Sequence, residues 1–271
     1  MQTIVITGTS TGIGKACVQL FLDSNWYVIA ISRDKNPDSH ENLKHIYCDM
    51  TDAYAVNNAI AQVIDLCKEN QLSALINNAG YGQYGPIEDL NRSLLENQMA
   101  ANFHGPVQLS IGLIPLLRKN LSPTRIIFVS SVLGFTSTPL RGAYSASKHA
   151  LESIADTLRL ELKNTPIKTI LIEPGPVATQ FRFTACKHLQ SLLEQAPNTH
   201  YAKSYANFIN QSKQTKGTVT ASYVANIIYK SVTVPNPKIR YRICTQTWLA
   251  WIGKRILSSK IWDYIVLKNQ A

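Results

Sequence analysis

A phenol, an ammonium and a hydroxyl come close together in the stretch Ile126–Leu151. Tyr144 and Lys148 are four residues apart, so on a helix their side chains share one face and act on the same small space. Ser131 follows an apolar, strand-like run, Ile126, Ile127, Phe128 and Val129, and can face them across a loop punctuated by Gly and Pro. A tyrosine with a pKa of about 10 is a poor proton donor or acceptor near neutrality, but a neighbouring ammonium stabilises its phenolate and lowers that value. The pair is therefore a candidate acid/base, with Ser131 hydrogen-bonding a substrate oxygen and orienting it toward the phenol. Taken alone, the spacing is commoner in an ordinary half-buried aromatic beside a solvated lysine, so the surrounding elements have to decide.

Those elements begin at the N-terminus. Residues 3–24 run from the apolar strand Thr3, Ile4, Val5, Ile6 through Gly8, Gly12 and Gly14 into a helix with Ile13, Ala16, Cys17, Leu20 and Phe21 on one side. Between a strand and a helix, such glycines let the backbone approach a pyrophosphate closely, and the helix N-terminus offers free N–H groups and a positive dipole end. A second strand, Tyr27–Ile31, ends in Ser32 and Arg33, with Asp34 one or two positions late for the carboxylate that NAD sites place about 20 residues past the glycines. An arginine there pairs with a 2′-phosphate, so NADP(H) is expected in preference to NAD(H), which remains allowed.

Further strands are expected at His45–Cys48, Ala74–Ile76, Lys168–Ile172 and Ile239–Cys244. The helix between the first two ends near Asn70, and another begins near Thr220. A long helical stretch from Leu90 to Lys119 contains Asn102 and Gly105, odd residues for a helix interior that hint at a kink or polar contacts. Pro174, Gly175 and Pro176 make a rigid turn after the Lys168 strand. Residues 180–216, aromatic and basic, read as an irregular insertion able to cover a site. Alternating strands and helices imply an α/β doubly wound parallel sheet of about seven strands with helices on both faces, gathering these loops at its C-terminal edge.

Composition narrows the class. A chain of 271 residues with 45% hydrophobic side chains suits one α/β domain, and it has no repeat or low-complexity tract. The strand pattern starts within two residues of Met1, leaving no room for a signal peptide, so an intracellular, cytoplasmic protein is expected. Cys17, Cys48, Cys67, Cys186 and Cys244 lack metal-ligand spacing and read as reduced thiols, with no metal site. Net charge is +10; residues 1–160 hold 12 basic and 13 acidic side chains, whereas 161–271 hold 15 and 4. The basic C-terminal part suits an anionic partner such as acidic lipid or a phosphorylated substrate, or a merely solvated surface; no nucleic-acid module is visible.

Together the motifs T-G-x-x-x-G-I-G at Thr7–Gly14, N-N-A-G at Asn77–Gly80, N-x-x-G at Asn102–Gly105, S-x(12)-Y-x-x-x-K at Ser131, Tyr144 and Lys148, and P-G at Pro174 and Gly175 resemble the short-chain dehydrogenase/reductase family, with a Rossmann-type sheet. The resemblance covers about residues 1–245. It implies Tyr144 as acid/base, Lys148 lowering its pKa and holding the nicotinamide ribose, Ser131 steadying the substrate oxygen, with Ser130 its competitor, and Asn102 keeping a water in a proton relay. It implies cofactor contacts from Gly8, Ser10, Gly12, Ile13 and Gly14 at the phosphates, Arg33 at the 2′-phosphate, and Asp49 and Met50 at adenine. Asn78 and Gly80 would lie along the ribose, and Pro174, Gly175, Val177 and Thr179 near the nicotinamide. A homodimer or homotetramer and a hydroxyl/carbonyl substrate, most similar to those of steroid, retinol and other lipid-carbonyl reductases, are further implications. A non-catalytic NADP(H)-binding scaffold or redox sensor is the competing expectation.

Residues 246–271 stand apart as a C-terminal helical extension. Trp248, Trp251 and Trp262 lie among apolar residues interrupted by Lys254, Arg255, Lys260 and Asp263, which argues against a membrane-spanning helix. The helical spacing of Trp248, Trp251, Ile252, Arg255 and Ile256 suits a lid, a dimer contact or peripheral association with an anionic membrane. The substrate itself depends on loops 81–96, 132–142 and 180–216, whose shape the sequence does not give.

Overall fold

A computed structural model describes residues 1–34, 39–68, 70–195, 199–212 and 217–268. Its centre is a sheet of seven parallel strands: β1 (Thr3–Thr7), β2 (Tyr27–Ser32), β3 (Leu43–Tyr47), β4 (Leu72–Asn77), β5 (Thr124–Val129), β6 (Ile167–Pro174) and, after a two-residue pair β7 (Val177–Ala178) and β8 (Val219–Thr220), β9 (Arg240–Ile243). The order is β3-β2-β1-β4-β5-β6-β9, and every pairing in it is parallel. The chain leaves β1 in one direction for β2 and β3 and in the other for β4 onward, so the loops at the carboxyl ends of β1 and β4 part and open a crevice.

The inner strands are apolar along nearly every residue because both faces are covered. Ile4, Ile6, Ile76, Ile127 and Ile172 pack under α1 (Gly12–Asp23) and α8 (Ala221–Thr233), against Phe21, Val224 and Ile228. Val5, Ile31, Leu75, Ile126 and Phe128 point the opposite way, onto α2 (Ala53–Leu66), α4 (Gly105–Arg118) and α5 (Gly142–Glu161) through Val56, Leu113 and Leu151. This alternation within strands is the period of two that a pleated backbone imposes, with an apolar layer on each side.

Asn91 caps α3 (Arg92–Met99) by accepting from the Leu94 N–H at 3.0 Å. That helix runs into a π-helical turn, Ala100–His104, before α4. The turn is the local irregularity expected from Asn102 and Gly105, and it places Asn102 fully buried behind the sheet edge.

One expectation is corrected. Within 180–216 the chain is regular, forming α6 (Gln180–Gln195) and α7 (Ala202–Ser212); residues 196–198 and 213–216 lie outside the described residues. Their apolar positions, Ala185, Leu189, Leu192 and Tyr205, bury against Tyr84, Leu90 and Leu133, a third cluster over the sheet edge. The dilution of apolar residues by Lys, Gln and Asn on the other faces hid the helical period. The C-terminal segment is two helices, α9 (Thr245–Ile256) and α10 (Ser259–Lys268), packed so that Trp262 lies over Gly253. Among the described residues no helix is long and apolar enough to cross a membrane.

Candidate active site

The glycine turn is built so that side chains stay out of it. Gly8 has φ +70°, and a Cβ there would lie 2.7 Å from the Ala79 Cα. A Cβ on Gly14 would run into the carbonyl oxygen of Gly8, and one on Gly12 would press on Thr179 at 3.1 Å. The Thr7 hydroxyl accepts from the Asn78 and Ala79 N–H groups at 3.0 and 2.9 Å, while Asn78 Nδ2 donates to the Thr7 and Gly8 carbonyls at 3.0 and 3.1 Å. These bonds lock the loops after β1 and β4 together. α1 starts at Gly12 with no side-chain cap and no acidic residue in its first turn, so its leading N–H groups and dipole remain available to an anion. The cradle therefore fits a dinucleotide diphosphate.

At the end of β2, Arg33 is exposed and pairs with Asp49 at 3.4 Å. Asp49 in turn accepts from the Thr51 N–H and hydroxyl at 2.9 and 2.8 Å, and its carboxyl lies below the usual carboxylate range: burial alone would raise it, but these bonds and Arg33 outweigh that.

One cavity of about 1890 Å³ runs from this cradle across the sheet edge. Gly8, Ser10, Gly12, Ile13, Arg33, Asp49, Met50, Asn78, Gly80, Ser131, Tyr144, Lys148, Pro174, Gly175, Val177 and Thr179 all lie on its wall. Gly14 and Asn102 do not; the first closes the turn from behind, and the second supports the wall. Drug-sized ligands occupy pockets of roughly 300–1,000 Å³, so this space is large enough for a dinucleotide and a second molecule.

Ser131 N-caps a short 3-10 turn, Val132–Gly134, accepting from the Leu133 N–H at 3.2 Å, and its hydroxyl lies near the Tyr144 phenol. Ser130 is directed elsewhere, toward Gly134, where a Cβ would lie 2.5 Å from its Oγ. That difference in direction separates the two serines. Lys148 is buried and donates to the Val129 carbonyl at 2.8 Å, with its Nζ 5.8 Å from the centre of the Tyr144 ring. Asn102 Oδ1 accepts from the Tyr81 N–H at 3.0 Å, and its Nδ2 donates to the Tyr81 carbonyl and the Ser147 hydroxyl at 3.0 and 3.1 Å.

The electrostatics depart from the expectation in one respect. Burial pushes the Tyr144 phenol above its ordinary value and neighbouring Tyr84 adds to that, while Ser131 and Arg141 oppose it; the lowering by Lys148 is not seen. Burial likewise pulls Lys148 down to about 8, with Glu152 opposing. Two groups one helical turn apart are both held toward their neutral forms by the same dry surroundings.

Below them lies an ion cluster. Arg240 on β9 bonds Glu152 at 2.9 Å, Asp156 at 2.8 Å and Glu173 at 2.8 Å, and Arg242 meets Glu173 at 3.0 Å. It ties α5, which carries Tyr144 and Lys148, to the end of β6, which carries Pro174 and Gly175. The cavity is also lined by Tyr84, Arg141, Phe181, Phe208, Leu257 and Trp262, which belong to the loops and the C-terminal segment expected to shape the pocket but could not be singled out along the chain. Aromatic and aliphatic types look alike in core and pocket, and only the packing of α6, α7, α9 and α10 brings them to one surface.

The family model for the short chain dehydrogenase matches residues 2–189. The chain is 33% identical over 270 residues to the uncharacterized oxidoreductase YbbO of Escherichia coli (strain K12), covering 98% of this chain and 94% of that one. It is 30% identical over 279 residues to the NADPH-dependent 3-dehydrocapnine reductase of Ornithobacterium rhinotracheale, covering 99% and 97%. A short-chain dehydrogenase/reductase from Burkholderia phymatum in complex with NAD has the same fold, with a TM-score of 0.78 at 20% identity, covering 96% of this chain and 94% of that one. With a dinucleotide cradle and a Ser131, Tyr144 and Lys148 cluster on one cavity, and with the match spanning most of its length, the chain belongs to the short-chain dehydrogenase/reductase family and is an oxidoreductase.

Proposed function

We propose that the protein is an NADP(H)-preferring enzyme that interconverts a hydroxyl and a carbonyl on an apolar, lipid-like substrate. One observation carries the reading: Ser131, Tyr144 and Lys148 open onto a cavity that α9 and α10 line with Leu249, Ala250, Trp262, Ile265 and Val266, and to which α6 and α7 add Phe181 and Phe208 among polar residues. Ser131 and Tyr144 together hold the substrate oxygen, and Tyr144 passes it a proton or takes one back. Nicotinamide, when bound, supplies or accepts the hydride. Lys148 holds the ribose and, once charged, favours the phenolate; Asn102 and the π turn keep the proton route open behind it. Gly8, Ser10, Gly12, Ile13 and Gly14 hold the diphosphate, Asp49 and Met50 the adenine, Asn78 and Gly80 the ribose, and Pro174, Gly175, Val177 and Thr179 the nicotinamide.

The NADP(H) preference is supported by the exposed Arg33 at the end of β2, where its planar fork suits a 2′-phosphate, and by the NADPH named for the Ornithobacterium relative. A cytoplasmic enzyme touching anionic membrane through α9 and α10 is supported by exposed Trp248, Leu249, Ile252 and Ile256 beside Lys254, Arg255 and Lys260. Flotation with anionic vesicles, before and after deletion from Thr247, tests this; recovery in the bottom fraction in both cases rejects it. The homodimer or homotetramer is carried by the resemblance alone and is read by sedimentation.

The deciding assay follows NADPH and NADH oxidation over aldehydes and ketones of graded chain length. The reading expects turnover with NADPH, faster with long apolar substrates than with short ones. A dinucleotide that binds without any turnover across the panel would favour the scaffold instead.

A further inference from the structure

Arg141 is the N-cap residue of α5, three residues before Tyr144, and its side chain lies on the wall of the same cavity. The guanidinium carbon stands 5.6 Å from the centre of the Tyr84 ring and 4.9 Å from that of Phe208. Tyr84 in turn meets Tyr144 edge-on, with ring centres 6.2 Å apart, so a single aromatic ring separates the guanidinium from the phenol. Stacking on rings occupies the faces of a guanidinium but leaves its N–H groups, which radiate in the plane, to find acceptors. Here one of them, Nη1, reaches Thr138 Oγ1 at 3.3 Å, and the buried Nε has no acceptor among the described residues.

No carboxylate of the described residues pairs with Arg141, in contrast to Arg240 and Arg242, each of which faces Glu173 within 3.0 Å. A half-buried cation left without a counter-charge is costly, and a fold keeps one where a ligand completes the pair. Arg182, on the same wall, adds positive potential, and the start of α5 has no acidic residue in its first turn. Burial pulls Arg141 down from its usual value, with Tyr84 opposing, yet a guanidinium stays charged throughout the working range of pH.

We propose that Arg141 binds an anionic group carried by the substrate, a carboxylate or phosphonate set a short spacer from the reacting carbonyl. This deepens the reductase reading and rests on it. The substrate is then an anionic amphiphile: its head lies at the Arg141 guanidinium, its carbonyl at Tyr144, and its apolar tail along Phe181, Leu257 and Ile265. The spacer must be short because only the Tyr84 ring, 5.6 Å from the guanidinium and 6.2 Å from the Tyr144 ring, separates the two groups. The neutral isostere loses the charge-assisted bonds and leaves the guanidinium unpaired, which is how a site built for a polar group rejects the analogue without it.

The test compares kcat/KM of the NADPH-loaded enzyme for a γ-oxo long-chain carboxylate, its methyl ester and the matching phosphonate. A preference of about 10- to 100-fold for an anion over the ester is expected, the size of a bond to a charged group. Whichever of the two anions is favoured identifies the head group. Arg141→Gln should reduce the ratio to near one, and Arg141→Lys should restore part of it. Calorimetry with decanoate against decanol, which needs no turnover, should show the same preference and the same dependence on Arg141. Equal kcat/KM for acid and ester in the wild-type enzyme overturns the proposal while leaving the reductase reading intact, and no variant has to fold for that result. Anion binding without turnover of any carbonyl would instead refute the reductase reading.

Discussion

The indole N–H of Trp262 donates to Thr136 Oγ1 at 3.2 Å, joining α10 to the loop between Ser131 and Tyr144. The ring is buried and fills the space over Gly253, whose missing side chain makes room for it. The last helix of the chain is thereby fixed to the loop that positions the reactive groups, and Leu257 and Ile265 beside it become cavity wall.

Replacing this anchor should loosen the wall and spare the cradle. Trp262→Ala is expected to raise KM for long-chain carbonyls about 10-fold or more, while the Kd for the dinucleotide stays unchanged, since Trp262 packs on Thr136 and Gly253 and not on the glycine turn. Trp262→Phe, which keeps most of the apolar volume and loses only a neutral hydrogen bond of about 1 kcal/mol, should fall in between. Steady-state kinetics and fluorescence titration with NADPH separate the two effects.

Tyr144→Phe removes one hydroxyl from a ring held between Tyr84 and Phe181. It should lower kcat by about 10²–10⁴ with cofactor affinity retained, because proton transfer is lost and packing is not. Turnover near the wild-type rate would reject Tyr144 as the acid/base.

Lys148 carries a pH signature in the ligand-free protein. Its folded value is pulled to about 8 by burial, against 10.5 for an ordinary lysine. Between these values the unfolded chain binds more protons than the folded one, so the contribution to stability rises as pH rises from about 8 to 10.5. Lys148→Met lacks this titration. Denaturant unfolding from pH 7.5 to 10.5 should therefore show wild type gaining on the variant by on the order of 3 kcal/mol at full deprotonation, with no gain below pH 8. A constant difference across the range would place Lys148 in wetter surroundings.

Arg33→Ala should weaken NADPH binding about 10-fold or more and leave NADH binding nearly unchanged, because only the 2′-phosphate needs the guanidinium. Asp49 shares that arginine at 3.4 Å, so Asp49→Asn, which keeps an oxygen for the adenine amine, should shift the NADPH-to-NADH affinity ratio modestly toward NADPH by releasing it. Dissociation constants for both cofactors on both variants check the pair.

Much of this molecule could be read along the chain, and the reason is local. Gly8, Gly12 and Gly14 announce a turn that excludes side chains, and the continuous apolar runs of β1, β4 and β5 announce strands buried on both faces. Asn102 inside a helix announces an irregularity that turned out to be a π turn. In each case the signal and its cause lie within a few residues. Tyr144 and Lys148 share a face because the helix has 3.6 residues per turn, whatever surrounds it.

What the sequence by itself determined, then, is the parallel α/β sheet, the dinucleotide cradle and the Ser131, Tyr144 and Lys148 cluster. The tertiary structure alone decided the rest: that α6, α7, α9 and α10 close over one cavity, that Trp262 seats on Thr136, that burial and not Lys148 governs the Tyr144 phenol, and that Arg141 faces the cavity without a carboxylate among the described residues. Desolvation and pairing depend on every group within a few ångströms, and these groups come from positions more than 100 residues apart, such as Thr136 and Trp262. No spacing rule along the chain encodes that sum.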